Sequence, residues 1–185
     1  MKLTTHRTVI TPARPADAAA LSQFHTRNAA HLAAWEPARV DGYHDPDAWA
    51  DRLAAEVREM EADRSLRCVV RLTQGSPIIA NCNLNNKTRG AFQAAHLGYS
   101  IDAEHEGQGL MYEALETFLD HAFNDRTLNR VMANHRPENT RSAALLARLG
   151  FEREGFARNY LKISGHWRDH VLTSMLAEDW QARIR

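Results

Sequence analysis

Leu97-Gly98-Tyr99-Ser100-Ile101-Asp102-Ala103-Glu104-His105-Glu106-Gly107-Gln108-Gly109-Leu110-Met111 is the stretch on which the reading of this chain turns. Its first five residues alternate and predict a strand. Two glycines, one residue apart, follow. A helical pattern then begins at once, with Leu110, Met111, Ala114, Leu115, Phe118, Leu119 and Ala122 on one face. A strand, a glycine turn and a helix start make a ready anion site. The first-turn amides have no partner within the helix, and the helix dipole favours negative charge there. Glycine lets a phosphate approach the backbone with no Cβ in the way.

Several phosphate loops begin like this. The dinucleotide fingerprint needs a third glycine, and Tyr112 stands in its place. The nucleotide-triphosphate loop needs Gly-Lys-Ser/Thr, which this chain does not contain. A plain glycine turn before a core helix is the remaining alternative for the loop taken alone.

A second element lies past the helix. Arg130-Val131-Met132-Ala133-Asn134 reads as a strand. Pro137-Glu138-Asn139-Thr140-Arg141-Ser142 leads into a short helical pattern that ends at Leu149-Gly150-Phe151, where Gly150 suits a left-handed helix end. Glu106-Gly107-Gln108-Gly109-Leu110-Met111 resembles the pyrophosphate loop, Gln/Arg-x-x-Gly-x-Gly/Ala, of the GNAT superfamily of N-acetyltransferases. It departs at both ends, with Glu106 for the first residue and Met111 for the last. The Asn-x-x-Ser start and the Leu-Gly-Phe end resemble that family's second cofactor motif, in the right order. Trp35-Glu36-Pro37 and Trp167-Arg168-Asp169-His170-Val171-Leu172-Thr173 extend the resemblance over most of the chain. They point to the branch that acetylates the N-terminal alanine of a ribosomal protein.

The composition sets the frame. A chain of 185 residues is expected to form one domain, here a single acetyltransferase domain over 1–185. Hydrophobic content of 44% and charged content of 25% are those of a soluble globule, with no apolar run of membrane-spanning length. The start, Met1 to Arg7, carries no signal-peptide core, so a cytoplasmic location is expected. Cys68 and Cys82 fall in predicted strands and read as buried, reduced thiols. The net charge is zero but uneven. Glu36 to Asp63 holds nine acids and three bases, and Arg126 to the end holds eleven bases and six acids. The basic half carries the cofactor motifs, and the acidic half could attract a cationic acceptor. Solvated helix and strand faces explain the same counts.

The elements expected in order are a strand at Thr8–Pro12, a helix from Pro15 to Arg27, a short helix from Ala29 to Trp35, and a helix from Asp47 to Ala62. A hairpin of Leu66–Leu72 with Ile78–Leu84 follows. Next come a polar turn at Asn85–Gly90, a strand from Ala91 to Ile101 and a helix to Phe123. The strand to Asn134, the helix to Leu149 and two strands split at Ser164-Gly165 complete the chain. The order is that of an α+β fold. The resemblance implies a mixed, mostly antiparallel twisted sheet, with a V-shaped splay between two central parallel strands and helices on both faces.

The resemblance also implies roles. Acetyl-CoA would be the co-substrate. Ser100 and Ile101 would hold its pantetheine arm through the main chain, and amides from Glu106, Gly107, Gln108, Gly109, Leu110 and Met111 would hold the pyrophosphate. The acids Glu104 and Glu106 are expected to turn away from it, while Asn139, Arg141 and Ser142 line the opposite side. Many relatives place a proton-donating tyrosine seven residues after the motif asparagine, where this chain has Leu146. Ser142 is the implied replacement donor, although a helix-start hydrogen bond explains it equally. His135 is a candidate base, or simply a satisfied strand-end histidine. Trp35, Glu36 and Tyr160 are candidates for the acceptor side, with Glu36 pairing the ammonium; core packing and a surface acid are the plain readings. No metal site is expected, because the residue that would complete H-E-x-x-H after His105-Glu106 is Gly109. His166 and His170 sit on a predicted strand, where a four-residue spacing does not converge. No nucleic-acid or membrane partner is implied, and the chain would act as a monomer or homodimer. The expected reaction is direct attack by a protein N-terminal amine in a ternary complex. Acetylation of another amine, such as a polyamine or antibiotic, and a non-catalytic acyl-CoA-binding module are the alternatives.

Overall fold

The computed structural model describes residues 1–184. One eight-stranded sheet runs through the molecule, built from β1 (Leu3–Thr4), β2 (Val9–Pro12), β3 (Leu66–Arg71), β4 (Ile78–Thr88), β5 (Ala94–Ile101), β6 (Arg130–Met132), β7 (Glu152–Ile163) and β8 (His166–Leu176). Their spatial order is β1-β2-β3-β4-β5-β6-β8-β7. Every neighbouring pair is antiparallel except β5 and β6. The helices are α1 (Ala18–Arg27), α2 (Ala29–Leu32), α3 (Pro46–Glu61), α4 (Leu110–Asp120), α5 (Thr140–Leu149) and α6 (Ala177–Ile184). The architecture is the mixed α+β sheet with flanking helices that the sequence implies.

The parallel pair creates the site. β5 meets β6 at Ala94↔Arg130, Ala95↔Val131 and His96↔Met132, and nowhere beyond. From Leu97 to Ile101, β5 stays on β4, with Asn83↔Gly98, Cys82↔Tyr99 and Asn81↔Ser100 in register. The other chain stays on β8, through Ala133 N–H to the Thr173 carbonyl (2.9 Å) and a bridge between His135 and Val171. The two strands therefore diverge, and the β6-facing edge of β5 loses its strand partner. A sheet interior seldom leaves such backbone groups open without a use for them.

Alternation along β4 and β5 sorts the side chains. Ala80, Cys82 and Leu84 join Leu97, Tyr99 and Ile101 on the face covered by α4, whose Leu110, Met111, Ala114, Leu115 and Phe118 fill the larger core. Asn81, Asn83 and Ser100 face the other way. There Asn81 donates to Ser100 Oγ at 2.7 Å, and Asn83 donates to Asn81 at 3.3 Å and accepts from the Cys68 amide at 3.3 Å. This buried amide chain satisfies its own polar atoms and fixes the back of β5. α1 and α3 lie over that face around Leu21, Phe24, Trp49 and Leu53.

Several expected elements change length. The second helix ends at Leu32, short of Trp35, and β4 continues through the polar stretch to Thr88 because pairing with β5 carries it past Asn85. Strand β5 starts at Ala94 instead of Ala91. The helix after the glycine loop is α-helical to Asp120 and finishes as a wider π turn, His121–Asp125. β1 and α6 were not anticipated. They are a two-residue strand and an eight-residue helix, too short for a periodicity signal. α6 is held by Trp180, which is 1% exposed, lies 6.0 Å from the Phe123 ring and donates to Asp120 at 3.3 Å.

Cys68 and Cys82 face each other across β3 and β4, both fully buried and both free thiols. Burial pushes the Cys68 thiol up to about 12 and the Cys82 thiol well above its usual range. A thiol that holds its proton and has no exposed surface does not react. Native protein is expected to show no reaction with a disulfide thiol reagent, and two equivalents after denaturation. One rapid equivalent in the native state would contradict the packing.

Candidate active site

A crevice of about 1050 Å³ opens where β5 and β6 part. Its walls are the end of β5 (Tyr99, Ser100, Ile101), the glycine loop, the start of α5 (Asn139 to Ser142) and the turn after α2 (Trp35, Glu36). The two motifs, 28 positions apart from Met111 to Asn139, thus face one hollow.

The loop is built for an anion. Gly107 and Gly109 both hold the left-handed conformation, φ 72° and 75°. A Cβ on Gly107 would meet nothing within 4 Å, so its outer side is open to a ligand. Gly109 is the N-cap of α4, and α4 starts at Leu110 with its first amides free of intrahelical partners. Arg7 braces this loop from the N-terminal strap. Its Nη1 donates to the Gln108 carbonyl at 2.9 Å, and its Nε donates to Glu113 at 2.7 Å. Thr5 Oγ1 donates to the same carboxylate at 2.5 Å. Although burial opposes it, these bonds hold the Glu113 carboxyl down to about 2.

Across the crevice Asn139 caps α5, its side chain accepting from the Ser142 amide at 3.1 Å. Ser142 Oγ is 2.7 Å from the Tyr99 hydroxyl. Leu146 is 1% exposed, belongs to the core and does not line the crevice. The hydroxyl that faces Ser142 comes from β5 instead.

Other expected residues are placed differently. Glu106 does not turn away from the crevice. It lines the crevice and pairs with Arg141, and its other oxygen sits 3.3 Å from His31 Nε2. Arg141 therefore meets the crevice with its charge already partnered. Gln108 is outside the lining; its side chain donates back to the Glu104 carbonyl at 2.9 Å. His135 is also outside it. Its backbone is tied to Val171 and its Nδ1 lies 2.9 Å from the Arg136 carbonyl, so the bridge to β8 holds the ring off the crevice. Tyr160 lies on the outer hairpin, accepting from Asn134 at 3.2 Å, and does not line the crevice.

Trp35 and Glu36 do line it. The turn that carries them is pinned through its carbonyls. Ser164 Oγ donates to Ala33, the Ser164 amide donates to Glu36 at 3.2 Å, and Arg136 donates to Ala34 at 2.6 Å. The tip of the β7–β8 hairpin thus satisfies the backbone past α2 that the helix leaves open. The Glu36 carboxylate pairs with Arg39. Sequence reasoning missed Tyr99 and His31 as crevice residues and Arg7 as the brace behind the loop. Alternation placed Tyr99 on the α4 face, but its partner lies 43 residues away. The N-terminal strap carried no pattern at all.

Residues 7–152 match the acetyltransferase (GNAT) domain family, and the chain belongs to that family. It is 39% identical to the [ribosomal protein uS5]-alanine N-acetyltransferase of Escherichia coli (strain K12), over 97% of this chain and 93% of that protein. The crystal structure of ribosomal-protein-S5-alanine acetyltransferase from Vibrio fischeri superposes with a TM-score of 0.92 at 36% identity, covering 97% of this chain and 98% of the other. Mycobacterium smegmatis RimJ in complex with CoA-disulfide gives 0.88 at 35% identity, over 93% and 83%.

The brace behind the loop has a pH signature. The Glu113 carboxyl is lower in the folded protein than its ordinary 4.5, so its stabilising contribution is complete above that value and is lost as pH falls toward 2. Urea unfolding of Glu113→Gln is expected to show its largest deficit against wild type near neutral pH, closing progressively between pH 4.5 and 2. A deficit that is constant with pH would mean the carboxylate charge does not contribute.

Proposed function

We propose that this chain transfers the acetyl group of acetyl-CoA to the α-amine of a protein N-terminus, alanine of a ribosomal protein by kinship, acting as a single acetyltransferase domain. The observation that carries the reading is the pairing of two halves across the β5–β6 splay: the left-handed Gly107/Gly109 loop on one side, and the Asn139-capped start of α5 with Ser142 on the other. The residues fit the co-substrate. Free first-turn amides and an open glycine face suit a pyrophosphate, and the unpaired edge of β5 at Ser100 and Ile101 suits the amides of a pantetheine arm.

The acceptor enters past Trp35 and Glu36, on the lip held by Ser164. An α-amine has a reference pKa of about 7.7–8.0, so a useful share is neutral at pH 7 without a strong base. Glu36 and Glu106 line the crevice beside this entrance, each already paired with an arginine. Bound acetyl-CoA supplies an activated acyl group. Nitrogen attack and loss of the thiol then need a donor near the sulfur, and Ser142 takes that role. Kinship with ribosomal-protein alanine acetyltransferases supports the acceptor, and CoA-bound relatives support the co-substrate.

Incubation with acetyl-CoA and peptides that begin with a free alanine is expected to give acetylation at the N-terminus alone, read by mass spectrometry. The same peptides with blocked N-termini should give none. Ser142→Ala should lower kcat about tenfold or more. Tight acetyl-CoA binding with no turnover on any peptide would favour a non-catalytic acyl-CoA-binding module, and turnover only on polyamines or other small amines would move the acceptor class.

A further inference from the structure

The Tyr99 hydroxyl is aimed at one group. It lies 2.7 Å from Ser142 Oγ, and among the described residues no other hydrogen-bond partner is recorded for it. Both residues line the crevice. Tyr99 sits on the last part of β5, beyond its final contact with β6, with its ring packed against the core under α4. Ser142 is held independently, its amide donating to the Asn139 cap at 3.1 Å. Two fixed backbones therefore bring the hydroxyls together.

We propose that Tyr99 is a positioning residue for the acetyl transfer: its O–H donates to Ser142 Oγ and so turns the serine proton toward the sulfur of the thioester. The inference rests on the acetyltransferase reading above. Its physical basis is the 2.7 Å contact between two hydroxyls, either of which can donate. Burial pushes the Tyr99 phenol up to about 12, so it keeps the proton that this donation uses. A serine that accepts from a fixed donor has its own proton free for a third group, here on the crevice side. The role explains how the reaction proceeds with Leu146, a buried core residue, where a tyrosine would otherwise donate.

The step balances simply. The amine nitrogen lone pair forms the N–C bond, the C–S bond breaks with its electron pair going to sulfur, and the nitrogen loses one proton. Ser142 donates a hydrogen bond to the sulfur as charge builds there, and the proton count closes when the sulfur takes up the proton shed by nitrogen, directly or through water. Neither Tyr99 nor Ser142 need ionise. A thiol has a reference pKa of about 8.5, low enough that a directed hydrogen bond, without full proton transfer, assists its departure.

Tyr99→Phe keeps the ring and deletes the donor. Its first test needs no turnover: titrate the thiol of enzyme-bound CoA by its thiolate absorbance. A donor aimed at sulfur stabilises the thiolate, so the bound thiol is expected to titrate about one pH unit higher in Tyr99→Phe and in Ser142→Ala than in wild type. The other titratable and charged groups of the crevice are the same in all three proteins: His31 and Glu36 beside α2, His105 and Glu106 on the loop, Tyr112 on α4, and Glu138, Arg141 and Arg148 at α5. The second test is kinetic. Tyr99→Phe is expected to lower kcat about tenfold with the KM for acetyl-CoA within about twofold, and the double variant to match Ser142→Ala alone.

An unchanged thiol titration in Tyr99→Phe overturns the proposal. So does a kcat loss that persists in the Ser142→Ala background, since Tyr99 would then act without the serine. Weaker CoA binding and a lower Tm with no shift in the titration would mark a packing role only, and also overturns it. A protein whose bound thiol shifts as expected but which acetylates no N-terminus supports the hydroxyl pair while sinking the acceptor reading.

Discussion

The divergence of two parallel strands is the constraint on which this molecule rests. β5 and β6 share three residues and then follow different neighbours, β5 along β4 and β6 along β8. Backbone groups left open inside a sheet are costly unless something meets them. Here the gap lies between a buried asparagine ladder that stiffens β5 from behind and the His135–Val171 bridge that holds the other side. Neither strand is free to close on the other, so the opening is part of the fold and its edge is presented to a ligand.

Charge around that opening is arranged by pairing rather than by sign. A glutamate in an anion loop works against the anion if it stands alone. Glu106 is held between Arg141 and His31, so the carboxylate is partnered and the loop amides dominate the field. Behind the loop, Arg7 and Glu113 do a second job. The guanidinium caps the Gln108 carbonyl between two left-handed glycines, and the carboxylate anchors the guanidinium. The turn keeps its shape without any of its own side chains contributing to the core.

Leu146 follows the apolar face of α5 and is sealed in the core. The hydroxyl pair Tyr99–Ser142 sits one helical turn earlier on α5 and on the neighbouring strand, at the mouth of the splay. Across the crevice, the pinned turn at Ala33–Glu36 joins the helical layer to the hairpin β7–β8.

What the sequence determined by itself was local. Alternation at Leu97–Ile101, glycines 107 and 109, the helical stripe from Leu110, and Asn139 with Gly150 at the two ends of a short helix each follow from backbone preference within a few residues. Their order was enough to place the chain in its family and to mark part of the crevice lining. Tertiary structure alone decided that Tyr99 meets Ser142, that Arg7 reaches the loop, that Glu106 turns inward and that His135 and Tyr160 stay outside the crevice. The physical reason is range. Propensity and periodicity act through neighbouring dihedrals, whereas a hydroxyl pair 43 residues apart, or a guanidinium reaching a carbonyl 101 residues away, exists only once the sheet has set its register.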